Sequence, residues 1–252
     1  MRSKKLSTIL LTSTLTMALT ATPVSQVIVH ADDQVATSTS STSSAQTHTL
    51  NKSYVVYGAG AADKDELSNI LGVNNDFTTL TATASDYQKY INANDSTTNA
   101  AMVSSVSIVP TDPGSGVKVN VKKFNGQSNI TKVTAQQYAM VAQMAGVTDV
   151  TITVSANRPV SGESALTGVY KALSEDGINL NNQNTQSANQ MLSATNDAID
   201  ANKNDSSYPG KLMAAVGDTT KQINKQKRQG EQPTQVQIEN ILNQNLKKQN
   251  IY

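Results

Sequence analysis

Gly162-Glu163-Ser164-Ala165-Leu166 sets a serine beside an acid in a pattern close to the G-x-S-x-G nucleophile elbow. Such a serine needs a base to take its proton, and the elbow needs a glycine where this chain has Leu166. The only histidines are His30 and His48, and there is no cysteine. Beyond Thr49 the chain therefore offers neither imidazole nor thiol, which excludes Ser-His-acid triads, cysteine nucleophiles and zinc sites built on those ligands. Ser115 and Lys118 stand at serine–lysine spacing, but inside a turn rather than on a helix face, and read as coincidence. Gly58-Ala59-Gly60 follows an apolar run as a dinucleotide loop would, yet Asp63 replaces the third glycine, so a turn is the better reading. Asp200, Asn202 and Asn204 match the first, third and fifth positions of an EF-hand loop. The sixth is Asp205 instead of glycine and the twelfth is Lys211 instead of glutamate, so calcium is not expected. No metal and no cofactor is expected from these residues.

What remains is carboxylate, lysine, tyrosine and hydroxyl chemistry. Asp149, Glu163 and Asp176 could supply a general acid and base for hydrolysis of an envelope glycan, given two of them in one cleft. Only five glutamates exist and no aromatic platform for sugar stacking is evident, so this carboxylate-dependent hydrolase is the alternative reading. The leading reading is binding, and it rests on charge. Residues 32–207 hold 10 cations and 16 acids, whereas residues 208–252 hold 7 cations and 3 acids. Lys221, Lys225, Lys227 and Arg228 cluster on and beside one helix. They form either a solvated face, a surface that docks on the acidic body, or a contact for an anionic cell-envelope polymer. A formal net charge of +1 argues against a dedicated nucleic-acid binder.

The elements that must position these residues start after an address. Arg2, Lys4 and Lys5, the apolar run Leu6–Ala21, and Val29-His30-Ala31 read as a secretory signal peptide over residues 1–31. A Ser/Thr-rich linker over 32–50 follows. No second apolar stretch is long enough to span a membrane, so a secreted or cell-envelope location without a transmembrane segment is expected. With no cysteine, no disulfide assists the fold.

The body, residues 51–178, alternates short strands and helices. Tyr54–Tyr57, Phe77–Thr83, Met102–Val109, Val117–Val121 and Val150–Val154 read as extended. Thr111-Asp112-Pro113-Gly114-Ser115-Gly116 between two of these runs predicts an antiparallel hairpin, about Met102–Lys123. Asp63 with Glu66, and Thr134 with Gln137, predict capping boxes, and Val133 with Tyr138 a hydrophobic staple. Ser161 reads as the cap of a further helix carrying Leu166, Val169, Tyr170 and Leu173. Asn179–Ser187 reads as an Asn/Gln-rich loop. Three helices then follow in 188–252, punctuated by Pro209-Gly210 and Gly230, with a thin stripe of Leu212, Val216, Thr219 and Ile223 that needs a partner. The expected class is α+β: a mixed sheet with a central antiparallel hairpin covered by helices, then a helical C-terminal region.

Several blocks carry a resemblance. Ser104-Ser105-Val106, Gly114-Ser115-Gly116-Val117, Asn129-Ile130-Thr131 and Ala145-Gly146-Val147-Thr148-Asp149 lead to the longest, Pro159-Val160-Ser161-Gly162-Glu163-Ser164-Ala165-Leu166-Thr167-Gly168. In order and spacing these resemble the YpuA-like family of exported Gram-positive bacterial proteins, a domain of unknown function. The resemblance covers about Tyr54–Leu173 and reaches more weakly into the helical tail. It implies export and fold, and it implies no activity. The family usually has a small residue pair where this chain has Glu163-Ser164. Within the longest block, Pro159, Ser161, Gly162, Leu166, Thr167 and Gly168 read as structural.

Overall fold

The computed structural model describes residues 48–251 apart from Asn181, Ser206 and Gln232. The signal-peptide stretch and nearly all of the Ser/Thr-rich linker lie outside the described residues. Five short strands form one sheet: β1 (Tyr54–Gly58), β2 (Thr78–Ala82), β3 (Ser105–Pro110), β4 (Val117–Val121) and β5 (Val150–Ser155), in the order β2-β1-β3-β5-β4. The sheet is mixed. β1 runs parallel to β2 and β4 parallel to β5, while β3 is antiparallel to both of its neighbours. Each parallel pair is joined through a helix, α1 (Lys64–Leu71) for the first and α3 (Ala135–Met144) for the second. α2 (Ala84–Tyr90) follows β2 and α4 (Glu163–Glu175) follows β5. The C-terminal region is helical: α5 (Asn182–Ala201), α6 (Tyr208–Arg228) and α7 (Gln235–Lys248).

The predicted hairpin is where sheet and expectation part. β3 and β4 do run in opposite directions, but β5 lies between them. The loop 111–116 reverses the chain across two strand spacings, about 10 Å, and closes on β5 rather than on itself. The Asp149 carboxylate accepts the Gly116 N–H at 2.8 Å, the Asp149 carbonyl accepts the Thr111 N–H at 2.8 Å, and the Gly116 carbonyl accepts the Val150 N–H. Burial explains the choice. Val150, Ile152 and Val154 are wholly buried and belong mid-sheet, whereas Val121 is 40% exposed and suits an edge. Lys118, Lys122 and Lys123 are exposed on and just beyond that edge strand, where charge discourages pairing with another chain.

Alternation along the strands sorts the two faces. Tyr54, Val56, Val106, Ile108, Ile152 and Val154 share the main core with residues of α2, α3 and α4. Val55 and Tyr57 face the other way and pack with Leu67 and Leu71 of α1 and with Phe124. That face of β3 is polar: buried Ser107 donates to the Leu71 carbonyl at 2.7 Å and so ties the strand to the end of α1.

Caps follow the sequence in part. Thr134 and Gln137 form the expected box at α3, and Val133 and Tyr138 are both buried. Asp63 does not cap α1 with its side chain: it sits at φ 54°, left-handed, and no box with Glu66 forms. Two further boxes occur, Thr83 with Asp86 at α2 and Thr234 with Gln237 at α7. At α4 the cap position is Gly162 at φ 105°, a conformation that L side chains rarely adopt, and Ser161 just before it accepts the Glu163 N–H at a long 3.4 Å. The Ala165 N–H in the first turn of α4 instead finds Ser104 Oγ at 2.8 Å, while Ser164 Oγ donates to the Ser104 carbonyl at 2.7 Å. A serine sixty residues upstream thus does the work of a local cap.

The predicted loop 179–187 is helical from Asn182 onward. Ala188 and Leu192 join the main core, so α5 is drawn onto the body by packing rather than by propensity. On its other side Met191, Ala194 and Ala198 meet Leu212, Val216 and Ile223 of α6 and Ile238, Leu242 and Leu246 of α7. This is the partner that the thin α6 stripe required. Pro209 falls in the first turn of α6, where a missing N–H costs nothing.

The α4 backbone sits directly on side chains of the sheet. A Cβ on Gly168 would stand 2.8 Å from Val106 Cγ1 and 3.1 Å from Val56 Cβ, and one on Gly58 would stand 2.1 Å from the Met102 carbonyl oxygen. Gly168→Ala is expected to cost about 1–3 kcal/mol through overpacking, read as a lowered urea midpoint with unchanged m-value. Gly58→Ala, which strikes backbone rather than side chain, should cost more. Equal and negligible effects of both would disprove this account of the crossing.

Candidate functional site

The longest sequence block is a junction, and it is mostly closed. Leu166 and Thr167 are wholly buried in α4, and Thr167 Oγ1 donates back to the Glu163 carbonyl at 3.1 Å. The Gly162 carbonyl accepts the buried Tyr138 hydroxyl at 2.7 Å. The Ser161 carbonyl accepts the N–H groups of Lys132 and Val133, and Val160 bridges to Ile130. Pro159 is exposed. Ser164, the serine of the elbow-like pattern, points into the Ser104 carbonyl and is 6% exposed, so it faces no substrate space. Gly58 and Gly60 are held for a similar reason: the Gly60 N–H donates to the Met102 carbonyl at 2.8 Å, and no room is left for a phosphate cradle.

Of the three carboxylates of the hydrolase reading, Glu163 and Asp176 are held far apart, and Asp149 is engaged by a loop. Asp149 is bound to N–H groups of the 111–116 loop, which hold its carboxyl below the usual range, Gly116 first. Asp176 accepts from the Asn51 N–H at 2.9 Å and the Tyr54 hydroxyl at 2.9 Å. Burial, and then the Asp176 bond, push Tyr54 up to about 12, so it stays a neutral donor. Glu163 and Asp176 stand at opposite ends of the 13-residue α4, about 20 Å apart at 1.5 Å per residue. A glycosidase pair needs roughly 5–10 Å. Among the described residues, no group of three or more histidine or acidic side chains is placed to share a metal ion.

A polar cleft of about 830 Å³ opens between α2 with its following turn, the start of α4, and one side of α5. Glu163 is at its edge, its Oε2 accepting from Tyr87 Oη at 3.2 Å and Ser161 Oγ at 3.4 Å. Burial, then the Glu163 charge, pushes the Tyr87 hydroxyl far above its ordinary value, so it too donates as a neutral group. The rest of the wall is largely carboxamide, with Gln186, Asn189, Gln190 and Asn196 from α5 and Asp197 and Asp200 beside them. Apart from Asp200, none of these residues belongs to a motif read from the sequence. The signal was present as Asn and Gln recurring three or four apart from Asn182, but the first half of that run resembled a loop.

The basic residues lie on the far part of the tail. Lys221 and Lys225 are exposed on one stripe of α6. The side chains of Lys227 and Arg228 lie outside the described ones. α7 returns along α6, and buried Asn245 clasps the two helices: its Nδ2 donates to Thr219 Oγ1 at 3.0 Å and its Oδ1 accepts from Gln222 Nε2 at 3.2 Å. Lys248 Nζ reaches the same oxygen at 3.3 Å, so exposed Lys247 and Lys248 extend the basic face. Among the described residues, docking of tail on body uses none of Lys221, Lys225, Lys247 and Lys248. It uses Met140 and Leu192, and a buried carboxamide: Gln137 Nε2 donates to Thr195 Oγ1 at 2.8 Å and Asn196 Oδ1 at 2.9 Å. The body–tail ion pair that does exist, Lys132 with Asp200 at 4.0 Å, is more than half exposed at both ends and worth little.

The family model described as Protein of unknown function (DUF1002) matches residues 57–252. The chain belongs to the DUF1002 family. It is also similar to the uncharacterized protein YpuA of Bacillus subtilis (strain 168), at 31% identity over 143 residues, which is 55% of this chain and 47% of that relative. The chain thus spans about half the length of the curated relative it matches. No solved structure matches. All five blocks that carried the resemblance fall inside the matched range, and two of them, Ser104-Ser105-Val106 and the block ending at Gly168, meet at the α4 junction of this DUF1002 chain.

One ion pair ties the wall of the cleft to the DUF1002 body. Asp86 Oδ2 accepts from Lys171 Nζ at 2.7 Å and closes the α2 capping box with Thr83. Burial works to raise the Asp86 pKa, but Lys171 and Thr83 together outweigh it and hold the carboxyl below its ordinary 3.8. A depressed carboxylate stabilises the fold fully above its unfolded value, and that contribution fades as the pH falls through the folded one. Stability should therefore drop below about pH 4, and Asp86→Asn should remove part of that acid slope while costing about 1 kcal/mol at pH 7. Urea midpoints measured at pH 3 and pH 7 check this; an unaltered slope in the variant would refute it.

Proposed function

We propose that this DUF1002 chain is an exported, non-enzymatic binding protein that works at the cell envelope and contacts an anionic polymer there through the basic face of α6 and α7. The observation that carries the reading is the idle charge on that face. Among the described residues, Lys221, Lys225 and Lys247 make no ion pair, although the body preceding them is acidic. Docking of the tail is achieved by apolar and carboxamide contacts, which leaves these cations for something outside the fold. The pattern of Met1–Ala31 supports export. Among the described residues no helix is long and apolar enough to cross a membrane, and no long apolar run adjoins Lys221 and Lys225 on α6, which favours a surface contact over insertion. The absence of imidazole and thiol beyond Thr49, with Glu163 and Asp176 at opposite ends of α4 and Asp149 bound to the 111–116 loop, favours binding over hydrolysis.

Sedimentation of the purified chain with isolated Gram-positive cell walls tests the reading. Binding is expected at 10 mM salt, where the screening length is about 30 Å, and loss of binding near 1 M, where it is about 3 Å. The double variant Lys221→Glu, Lys225→Glu should lower the bound fraction roughly tenfold or more at low salt, since each cation near an anionic surface contributes about 1 kcal/mol. Binding that persists unchanged in high salt, or in the double variant, would refute the electrostatic reading.

A further inference from the structure

The cleft between α2 and α5 is a second candidate surface, on a different part of the fold and of opposite charge. Asn182, Gln186, Asn189, Ser193, Asn196 and Asp200 recur three or four residues apart and line it from one stripe of α5. At 1.5 Å per residue this stripe runs about 27 Å. The same length holds about eight residues of extended chain at 3.3 Å each.

A side-chain carboxamide offers the same N–H and C=O pair as a peptide unit. The fold already uses it in that way. Asn189 Nδ2 donates to two successive main-chain carbonyls, Tyr90 at 2.5 Å and Ile91 at 3.3 Å, and Gln88 Nε2 donates to the Asp95 carbonyl at 2.9 Å. Gln186 and Gln190 are exposed beside Asn189 and, among the described residues, make no side-chain hydrogen bond within the protein.

Charge and ring geometry decide what kind of polymer fits. Both lysines of the cleft are engaged: Lys89 Nζ bonds Tyr90 Oη at 3.0 Å and lies 4.6 Å from that ring's centroid, and Lys132 lies 4.0 Å from Asp200. Glu163 and Asp197 have no cation at ion-pair distance among the described residues. A glycan would want an open aromatic face. Tyr90 has none, being stacked on Tyr170 at 5.9 Å with Lys89 near its ring, and Tyr87 is 8% exposed.

We propose that this cleft binds an extended peptide, its main chain read by the free carboxamides of Gln186 and Gln190 on α5 and a lysine or arginine side chain received by Glu163 and Asp197. The site is independent of the basic face of α6 and α7. It is separated from that face in the test by substitutions at each.

The experiment is fluorescence anisotropy of the full chain with labelled octapeptides, one alternating serine and lysine and one alternating serine and glutamate, and with a labelled hexamer of N-acetylglucosamine as the glycan probe. Saturable binding of the lysine octapeptide is expected, with neither the glutamate octapeptide nor the hexasaccharide reaching it. Gln186→Ala with Gln190→Ala should weaken the lysine octapeptide roughly tenfold, as loss of two hydrogen bonds implies. Both side chains are exposed, so the fold tolerates the change. Asp197→Asn should weaken the same peptide roughly threefold, as an exposed charge pair implies. Lys221→Glu with Lys225→Glu should leave it within about twofold. Failure of the lysine octapeptide to saturate at millimolar concentration, equal binding of the glutamate octapeptide, preference for the hexasaccharide, or indifference to the Gln186 and Gln190 substitutions would each overturn the proposal.

Discussion

The close seating of the α4 backbone on the side chains of β1 and β3 is the constraint on which the rest of the body depends. Gly168 lets the helix sit against Val56 and Val106, and Gly58 lets β1 end against the Met102 carbonyl. At such distances no water can serve the first turn of α4, so its donors must be served by protein. Ser104 does this by accepting the Ala165 N–H, and the next residue, Ser105, accepts the Gly58 N–H at 3.2 Å. Two adjacent serines thus satisfy the ends of a helix and a strand that meet only in three dimensions. Once α4 is fixed, α2 is fixed by Asp86 on Lys171 and by Tyr90 on Tyr170. The cleft is then the space left between α2 and α5.

The local part of this arrangement was legible in the sequence. Alternating β-branched residues marked β4 and β5, Thr134 with Gln137 marked the start of α3, and Gly162 and Gly168 of the longest block read as structural. The non-local part was not. Ser104 as a cap for α4 carries no spacing signal, because its partner is sixty residues away. The turn 111–116 announced chain reversal correctly and pairing incorrectly, since the strand that enters between β3 and β4 comes from much later in the chain. Asp63 shows the limit of motif spelling: the right residues stood at the right spacing, but the chain enters α1 through a left-handed residue, which turns the side chain away from the helix end. The cleft was hidden for the same reason as the start of α5. A run of Asn and Gln has weak helix propensity, and only packing of Ala188 and Leu192 on the body makes it a helix.

Body and tail are joined by a device used twice. Gln137 is wholly buried and bonds Thr195 and Asn196 across the α3–α5 contact; Asn245 is 1% exposed and bonds Thr219 and Gln222 across α6–α7. In each case the threonine hydroxyl also donates to a carbonyl four residues back in its own helix, at 2.7 Å. A carboxamide buried with its bonds satisfied adds little net stability, but it costs a few kcal/mol in any register that leaves it unpaired. Such clasps select one docking of the helices where an apolar stripe alone would permit several. They also explain why Lys221 and Lys225 of α6 are not needed to hold the tail.

This division of labour has a consequence for how salt acts on the molecule. With no cysteine there is no disulfide, and the interior is joined by apolar contact and neutral hydrogen bonds. Neutral hydrogen bonds are insensitive to screening, and hydrophobic contact is strengthened rather than weakened by many salts. Among the described residues the short ion pair is Asp86 with Lys171, which is mostly buried and screened less than a surface pair. The charges that salt does reach are the exposed ones: Lys221, Lys225 and Lys247 on one side, Asp197 and Asp200 on the other. Raising ionic strength should therefore weaken contacts made by the surface while leaving the fold intact. For this chain, salt dependence of binding and salt dependence of stability separate cleanly, because the residues responsible for each are different residues.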